Sequence, residues 1–457
     1  MKKVDLLVIG GSAGGILSAT TARKVYGDIS IAVIRDTNSV MIPCGIPYIF
    51  GTLKDTKKNL IPDGAVTNSD IELIIDRVTK INREEKNVVT RDGETIEYKK
   101  LIIATGSLPF IPSFIPGHDL ENVYPVLKEE EYLNEVLKKS AAAKNIVVIG
   151  GGFIGVEFAE QFATNGKNVT LVELADACVG AAFDKEYTDE LEAKLIEGGI
   201  DVRTGSKVVK INGEKAVESI ELESGEKIDA DLVILGLGAR PNGELAKEAG
   251  IEVTNRGAII VDQYTRTSDP DVFAVGDCAI KKCFFTGKDV PILLASTATA
   301  EAKIAGSNAF ELRLVRENKG TISAFATKVF GRTFAAAGLT EAMAKSEGFT
   351  LVTGETKTFD KHPGNLPGAQ MLNVKFIFSK CSGVILGAQI SGGDSAAEMI
   401  NVLSLSIQNG ITASQLNTFQ AATHPLVTAS PVAYPINAAA MDAVRKNCAI
   451  LNAAENQ

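Results

Sequence analysis

The sequence predicts an α/β protein in which two domains built on βαβ units, one inserted in the other, are followed by a C-terminal α+β domain. Three observations lead to this prediction. A strand pattern, a glycine loop and a helix pattern follow one another at the start of the chain, the same order returns about 140 residues later, and the pattern of elements changes after residue 321. A glycine loop between a strand and a helix is typical of a phosphate-binding turn.

The first βαβ unit begins with residues 4–9, whose largely apolar character indicates a buried parallel strand. A glycine-rich loop at 10–15 follows, then a helix pattern over 16–25 and a second strand over 30–34. Such a unit of about 30 residues is the usual nucleotide-binding βαβ motif. The strand patterns at 101–106 and 272–277 are expected to complete this domain.

The second unit repeats this order. Its strands, loop and helix are expected at 145–149, 150–155, 156–165 and 168–172, with the last strand of its domain at 232–238. Alternating strand patterns at 371–378 and 384–390 and a helix at 396–408 indicate an α+β module without a phosphate loop. We therefore expect a first domain at 1–112 and 243–320, a second at 113–242 and a third at 321–457.

Composition narrows the class of protein. The net charge of −9 argues against a nucleic-acid binder, and no apolar run reaches the roughly 18 residues of a membrane span. The start of the chain resembles a signal peptide, but Asp5 and the glycine cluster fit a first strand better, which predicts a cytoplasmic enzyme. Six scattered cysteines and three histidines suggest neither a disulfide framework nor a metal site.

The second glycine loop carries the stronger nucleotide signal. Gly150, Gly152 and Gly155 fit the G-x-G-x-x-G fingerprint, in which the glycines allow a tight turn, close approach of a pyrophosphate and close helix packing. Glu173 follows the next strand, where a carboxylate accepts hydrogen bonds from a ribose 2′-hydroxyl and repels a 2′-phosphate. NADH is therefore favoured over NADPH.

The first loop departs from the fingerprint, since Ser12 stands at the second glycine position. The acid expected after the second strand is also irregular. Asp36 is one candidate for the ribose, and Arg35 is another for a contact on the adenosine side. The motif at 276–277 strengthens this site, because a carboxylate after Gly276 can bind the ribityl chain or pyrophosphate of a flavin.

The order of motifs resembles that of the pyridine nucleotide-disulfide oxidoreductase family. It runs from the first glycine loop through residues 104–106, the second glycine loop and residues 236–241 to Gly276-Asp277. The likeness covers essentially the whole chain. It implies FAD on the first, Rossmann-like domain, NAD(H) on the second and a homodimer formed through the third.

Two sets of residues are expected at the cofactor sites. The FAD set is Gly10, Ser12, Ala13, Gly14, Gly15, Arg35, Asp36, Cys44, Ala104, Thr105, Gly106, Gly276 and Asp277. The NAD(H) set is Gly150, Gly152, Phe153, Ile154, Gly155, Glu157, Glu173 and Gly238. The side chain of Phe153 is expected to swing aside as a gate when NADH binds.

Cys44 is the candidate redox residue. Two-cysteine members of the family carry a second cysteine where this chain has Ile49, so the chain resembles the single-cysteine branch: coenzyme A disulfide reductases, NADH oxidases, NADH peroxidases and persulfide reductases. Pro47 suits the first turn of a helix, so we expect Cys44 just before a helix N-terminus that stabilises its thiolate. The other five cysteines are expected to be buried structural residues, with Cys278 near the flavin.

Within that branch, the loop residues favour a sulfur substrate. Oxidases and peroxidases usually carry a histidine where this chain has Ala13, whereas the coenzyme A disulfide reductases have a small residue there. Arg23 and Lys24 match the basic pair that those reductases use for the phosphates of coenzyme A. A solvated helix face explains this pair at least as well.

Other positions depart from those reductases. Val40 and Pro43 stand where Ser and Asn are typical, and their tyrosines have no clear match. His424 resembles the His-Pro histidine that two-cysteine reductases bring from the partner subunit as an acid–base group, and a structural histidine is an equal alternative. His362 is a weaker candidate, and Tyr434 is a further residue expected near the site.

The sequence therefore predicts an FAD-dependent NAD(P)H oxidoreductase that reduces a low-molecular-weight disulfide or persulfide of the coenzyme A type through Cys44. An NADH oxidase or peroxidase, in which Cys44 cycles through a sulfenic acid and oxygen or peroxide is the substrate, is the alternative. A flavoprotein that transfers electrons to a protein partner, or senses NAD(H) for it, is the alternative from another class. Whether coenzyme A binds is left open.

Overall fold

The structure, a computed structural model, describes residues 2–455, with side chains up to residue 448. The strands, in chain order, are β1 Lys2–Ile9, β2 Ile31–Arg35, β3 Glu72–Ile75, β4 Val78–Asn82, β5 Asn87–Thr90, β6 Thr95–Ile103, β7 Ser107–Pro109, β8 Val123–Pro125, β9 Asn145–Ile149, β10 Asn168–Val172, β11 Asp201–Arg203, β12 Val208–Asn212, β13 Ser219–Leu222, β14 Lys227–Asp229, β15 Leu232–Leu235, β16 Ala239–Pro241, β17 Val272–Ala274, β18 Phe325–Val329, β19 Arg332–Gly338, β20 Leu351–Phe359, β21 Met371–Ser379 and β22 Ile385–Gly392.

The α-helices, in chain order, are α1 Ala13–Tyr26, α2 Gly64–Thr67, α3 Glu130–Ala142, α4 Phe153–Thr164, α5 Lys185–Glu197, α6 Glu244–Glu248, α7 Ala295–Asn308, α8 Glu341–Ser346, α9 Ser395–Gln408, α10 Ala413–Asn417 and α11 Pro435–Glu455. Short 3₁₀ helices lie at Pro43–Gly45, Pro47–Phe50, Thr56–Asn59, Gly276–Cys278 and Pro431–Ala433. Within the described residues, no helix is long and apolar enough to cross a bilayer.

The chain divides into two compact units. The first consists of Met1–Lys144, Gly213–Val217 and Asp231–Thr321, and the second of Asn145–Asn212, Glu218–Ala230 and Ile322–Gln457. The first glycine loop lies in the first unit, and the second loop lies in the second unit together with the C-terminal region. The three domain boundaries expected from the sequence stay a prediction.

The first unit is organised around a sheet of order β3-β2-β1-β6-β5-β4, with β17 paired to β6. β1 is parallel to both β2 and β6, and β17 is parallel to β6, so the strands expected in the first domain share one sheet. Leu6, Leu7 and Val8 of β1 are fully buried. Helices α1 and α7 pack closely at Gly306, where an added Cβ would lie only 2.5 Å from the carbonyl oxygen of Ser18.

The second unit contains two kinds of sheet. β9, β10 and β11 are parallel, with α4 following β9 as the pattern predicts. The C-terminal region forms an antiparallel sheet of order β18-β19-β22-β21-β20, followed by α9 and α11. The strands and the helix predicted at 371–378, 384–390 and 396–408 are confirmed as β21, β22 and α9.

Candidate functional site

The first glycine loop presses directly on the end of β6. Gly10 has a φ of +116°, and an added Cβ would lie 2.1 Å from the carbonyl oxygen of Ala104. A Cβ on Gly15 would lie 1.9 Å from the carbonyl oxygen of Gly10. Only glycine fits at these two positions, so the loop lies tight against the start of α1, where backbone N–H groups can bind phosphate.

The second glycine loop has nearly the same geometry. Gly150 has a φ of +109°, and an added Cβ on Gly155 would lie 1.8 Å from the carbonyl oxygen of Gly150. A Cβ on Gly152 would meet no atom within 4 Å, so the backbone there faces open space that a pyrophosphate can approach. Both loops therefore fit a dinucleotide.

Glu173 lies where the sequence places the ribose-binding acid of the second loop. Its carboxylate accepts hydrogen bonds from the N–H of Gly151 and, at 2.7 Å, from the N–H of Ala175. These contacts fix the carboxylate beside the loop. Its remaining lone pairs can accept ribose hydroxyls.

Asp277 lies in the 3₁₀ helix that follows β17. Its carboxylate accepts a hydrogen bond from the Ser107 hydroxyl at 2.7 Å and lies 3.7 Å from the Lys128 ammonium nitrogen. Gly276, which precedes it, has a φ of +74°. This polar turn belongs to the same unit as the first glycine loop, as a flavin site requires.

A buried ion pair, which the sequence analysis missed, holds this turn in place. The Lys281 ammonium donates to the carbonyl of Gly276 at 2.6 Å and to that of Ala279 at 2.9 Å. It also lies 3.0 Å from the Glu301 carboxylate, which accepts the N–H of Gly276 at 2.8 Å. Burial raises the pKa of Glu301, and the Lys281 charge opposes that shift. Both backbone groups of Gly276 are thus fixed by one pair of charges.

Arg35 ends β2 and occupies the place that Glu173 has after β10. The N–H of Gly10 bonds to the carbonyl of Ile34, just as the N–H of Gly150 bonds to that of Val172. The Arg35 side chain is buried and pairs with Asp63. Asp36, the other candidate, is exposed.

Cys44 is exposed and lies in the 3₁₀ helix Pro43–Gly45. The helix start expected after it is present, although not as an α-helix. Pro47 does stand at a helix N-terminus, but that helix is a 3₁₀ helix of four residues, Pro47–Phe50. So short a helix has little macrodipole, so exposure remains the structural support for reactivity. Ile49 is fully buried.

The other cysteines divide by exposure. Cys178 and Cys278 are buried as expected, and burial raises the pKa of the Cys178 thiol to about 12. The Cys278 thiol donates to the carbonyl of Val275 at 3.2 Å. Cys381 and Cys448 are exposed and Cys283 is half-buried, so the expectation of burial is wrong for these three.

The basic pair on α1 does not act as two equivalent side chains. The Arg23 guanidinium donates to the carbonyls of Ser69, Ile29 and Asp70 at 3.0, 2.8 and 2.7 Å, and also to that of Gly27. These bonds tie down the end of α1 and leave Arg23 little capacity for a phosphate. Lys24 is exposed.

The two candidate histidines lie on loops that contact each other. His362 Nδ1 lies 3.0 Å from the carbonyl oxygen of Thr428, and the backbone N–H of His362 donates to the carbonyl of Pro425 at 3.1 Å. The His424 side chain is exposed, and its Nδ1 accepts the N–H of Leu426 at 3.3 Å. His424 belongs to the second unit and Cys44 to the first, so their predicted partnership stays a prediction.

Two residues expected at the NAD(H) site have partners in the C-terminal region. The Phe153 ring stacks on Phe325, with centroids 5.0 Å apart and planes at 18°. The Glu157 carboxylate is buried and accepts a hydrogen bond from the Thr327 hydroxyl at 2.8 Å. Gly238 lies in the first unit, where its carbonyl accepts the N–H of Phe110. The roles of these residues toward NAD(H) stay predictions.

Two dinucleotide loops, a polar turn beside the first loop and an exposed cysteine define the class of flavin- and pyridine-nucleotide-dependent oxidoreductases. Comparison with known proteins identifies the family. Residues 4–302 match the family described as pyridine nucleotide-disulphide oxidoreductase, and residues 324–433 match the dimerisation domain of that family. The chain belongs to this family and is an FAD-dependent NAD(P)H oxidoreductase.

Similar proteins carry two kinds of name, NADH oxidase and persulfide reductase. An NADH oxidase from Methanocaldococcus jannaschii is 32% identical over 96% of this chain and 98% of its own. An NAD(P)H coenzyme A polysulfide/persulfide reductase from Pyrococcus horikoshii is 33% identical over 86% of this chain and 88% of its own. The solved structure of an NAD-dependent persulfide reductase from A. fulgidus has a TM-score of 0.87 at 32% identity, and covers 97% of this chain and 84% of its own.

Proposed function

We propose that the protein is an NADH-dependent reductase of low-molecular-weight disulfides or persulfides, with Cys44 as its single redox-active thiol. The observation that carries the proposal is the surroundings of Cys44. Its side chain is exposed, and the position of the second cysteine in two-cysteine members is taken by the buried Ile49. A lone exposed thiol can form a mixed disulfide with a small substrate, whereas a dithiol would resolve it internally.

The proposed reaction balances around this sulfur. The Cys44 thiolate attacks a disulfide RSSR, which forms a Cys44–S–S–R bond and releases RS⁻. Two electrons from NADH and one proton then restore the Cys44 thiolate and release RSH. FAD, when bound, supplies the relay of this electron pair from NADH to sulfur. His424, exposed on its loop, is the candidate proton donor to the leaving thiolate.

The residues of this chain divide the cofactor binding between the two loops. The first loop and the turn at Gly276-Asp277 would hold FAD, and the second loop and Glu173 would hold NADH. Residues 174–182 contain neither Lys nor Arg, so no cation stands near Glu173 in sequence to bind a 2′-phosphate. This supports NADH over NADPH.

An NADH oxidase is the second candidate, since the relative from Methanocaldococcus jannaschii carries that name. In that case a peroxide substrate would transfer one oxygen atom to the Cys44 thiolate, which would give a sulfenic acid and, after protonation of the leaving hydroxide, one water. Two electrons from NADH and two protons would then reduce the sulfenic acid to the thiol and a second water. Ala13 in the first loop supports the sulfur substrate instead, because it provides no acid–base group at the position where oxidases and peroxidases usually carry a histidine. The names of the persulfide reductases support the same choice.

A homodimer through the C-terminal domain is part of the proposal. The matching family model is that of a dimerisation domain. The segment that carries His424 exposes apolar side chains, with Leu426, Val427 and Val432 at 57%, 66% and 95% exposure. Exposed apolar side chains close together are typical of an interaction surface.

Mass spectrometry of the intact, non-reduced protein tests the proposed acceptor. A disulfide or persulfide reductase is expected to carry, after oxidation with coenzyme A disulfide, one adduct of thiol mass per subunit on Cys44. The Cys44→Ser variant is the matched control, because the exposed Cys381 and Cys448 remain available in it. Adducts on Cys381 or Cys448 alone, or only a sulfenic acid on Cys44, would contradict the proposal.

A further inference from the structure

The end of β2 carries a basic residue where the second unit carries an acid. An added Cβ on Gly11 would lie 2.5 Å from Cδ and 3.1 Å from Cβ of Arg35, and one on Gly151 would lie 2.9 and 3.1 Å from Cβ and Cγ of Glu173. The two side chains therefore leave their strands along the same path beside their loops. In the first unit this path is filled by an arginine stem.

The protein already uses four of the five N–H donors of the Arg35 guanidinium. Its Nε donates to the carbonyl of Thr37 at 2.8 Å, and Nη2 donates to the carbonyl of Asn38 at 2.6 Å. Nη1 and Nη2 also donate to the two carboxylate oxygens of Asp63, at 2.5 and 2.9 Å. With 3% of its side chain exposed, Arg35 has little capacity left for a ligand.

The Asp63 carboxylate has acceptor capacity to spare. The residue precedes α2, yet its carboxylate does not cap that helix. The two oxygens offer about four lone-pair directions, of which the fork of Arg35 takes two. The side chain is 39% exposed, so the remaining directions are open to solvent or a ligand.

We infer that Asp63, held by Arg35, accepts the ribose hydroxyls of the adenosine half of FAD in place of an acid at the end of β2. The Arg35 side chain runs from the end of β2 past Gly11 and holds Asp63 at its tip. The Asp63 carboxylate thus supplies the acceptor oxygens that Glu173 supplies directly in the second unit. Asp36, although it is the acid next to β2 in sequence, is not the acceptor. The inference rests on FAD binding to the first unit.

Release of FAD from the purified holoenzyme tests this assignment, with the fluorescence of freed FAD as the signal after dilution. Asp63→Asn is expected to release FAD about tenfold faster or more, as for loss of a charge-assisted hydrogen bond. Asp36→Asn is the matched control and should release it within about twofold of the wild type, whereas Asp63→Glu should recover part of the loss. If Asp36→Asn and not Asp63→Asn speeds release, the inference is overturned.

A flavin analogue separates ribose recognition from a general loosening of the site. In the wild type, FAD with a 2′-deoxyadenosine half should leave about tenfold faster than FAD, and in Asp63→Asn the two should leave at similar rates. Unchanged discrimination in Asp63→Asn would overturn the inference. If Asp63→Asn does not fold, the double variant Arg35→Met/Asp63→Asn replaces it, because it leaves no unpaired guanidinium. The release rates of the two flavins are then compared in the double variant. A wild type that binds no FAD would instead refute FAD binding itself.

Discussion

The buried carboxyl of Glu157 should give the protein a measurable dependence of stability on pH. Glu157 lies on α4 and accepts a hydrogen bond from the Thr327 hydroxyl at 2.8 Å. Burial raises its pKa from 4.5 to about 7, with the Thr327 hydrogen bond opposing the shift and the Glu160 charge adding to it. The folded state therefore holds a proton on Glu157 that the unfolded chain releases at lower pH.

The size of the effect follows from the two pKa values. Between pH 4.5 and about 7 the folded state binds more protons than the unfolded state, so the free energy of unfolding falls as the pH rises. At 1.36 kcal/mol per pKa unit, the ionised Glu157 lowers the free energy of unfolding by about 3 kcal/mol. This loss of stability is complete above pH 7 and absent below pH 4.5.

The Glu157→Gln variant measures this cost, because glutamine keeps an acceptor for Thr327 and carries no charge. We expect the variant to match the wild type in urea denaturation near pH 4.5 and to be more stable by up to about 3 kcal/mol at pH 8. Glu197→Gln, which removes an exposed acid from α5, is the control for the loss of one charge. A stability difference for Glu157→Gln that is the same at both pH values would refute the reasoning.

Three further predictions concern the cofactor and substrate sites. Lys281→Met should leave Glu301 buried without its cation, so we expect it to lower the free energy of unfolding by about 3–5 kcal/mol and to speed the loss of FAD on gel filtration. Lys281→Met/Glu301→Gln should recover much of the stability and of the FAD retention. Equal defects in the single and double variants would contradict this. Glu173→Gln should raise the KM for NADH about tenfold or more with little change for NADPH, and a parallel rise for both would show that Glu173 does not face the ribose. Arg23→Gln should lower the melting temperature without changing the KM for coenzyme A disulfide. Lys24→Gln should raise that KM without lowering the melting temperature. The reverse pattern would show that Arg23, and not Lys24, binds the phosphates of the substrate.

Local patterns predicted both glycine loops and the strands around them. Gly10, Gly15, Gly150 and Gly155 sit at backbone positions that a larger residue could not occupy, so their spacing in the sequence carries the geometry directly. The largely apolar runs beside them are buried strands, and their Val, Leu and Ile residues make them recognisable in the sequence.

Partners distant in sequence were not predictable in the same way. Nothing near Arg35 indicates that Asp63 will pair with it, and no spacing links Lys281 to Glu301, since in both cases folding alone brings the charges together. Pro47 was a correct sign of a helix start, but proline suits the first turn of a 3₁₀ helix as well as that of an α-helix.

Two residues of α4 also have partners that are distant in sequence and that the sequence therefore did not indicate. Glu157 is expected at the NAD(H) site, and the hydroxyl that it binds, that of Thr327, comes from a strand of the C-terminal region. Phe153 likewise stacks on a residue of that strand, Phe325. Whether the ring moves when NADH binds stays a prediction.

Steady-state oxidation of NADH by coenzyme A disulfide, compared between the wild type and Cys44→Ser, tests the central claim most directly. Ferricyanide, which accepts electrons from a reduced flavin without a thiol, serves as the internal control. We expect the wild type to form two thiols per NADH, and Cys44→Ser to lose this activity while it retains ferricyanide reduction and bound FAD. Disulfide reduction at the wild-type rate in Cys44→Ser would contradict the account.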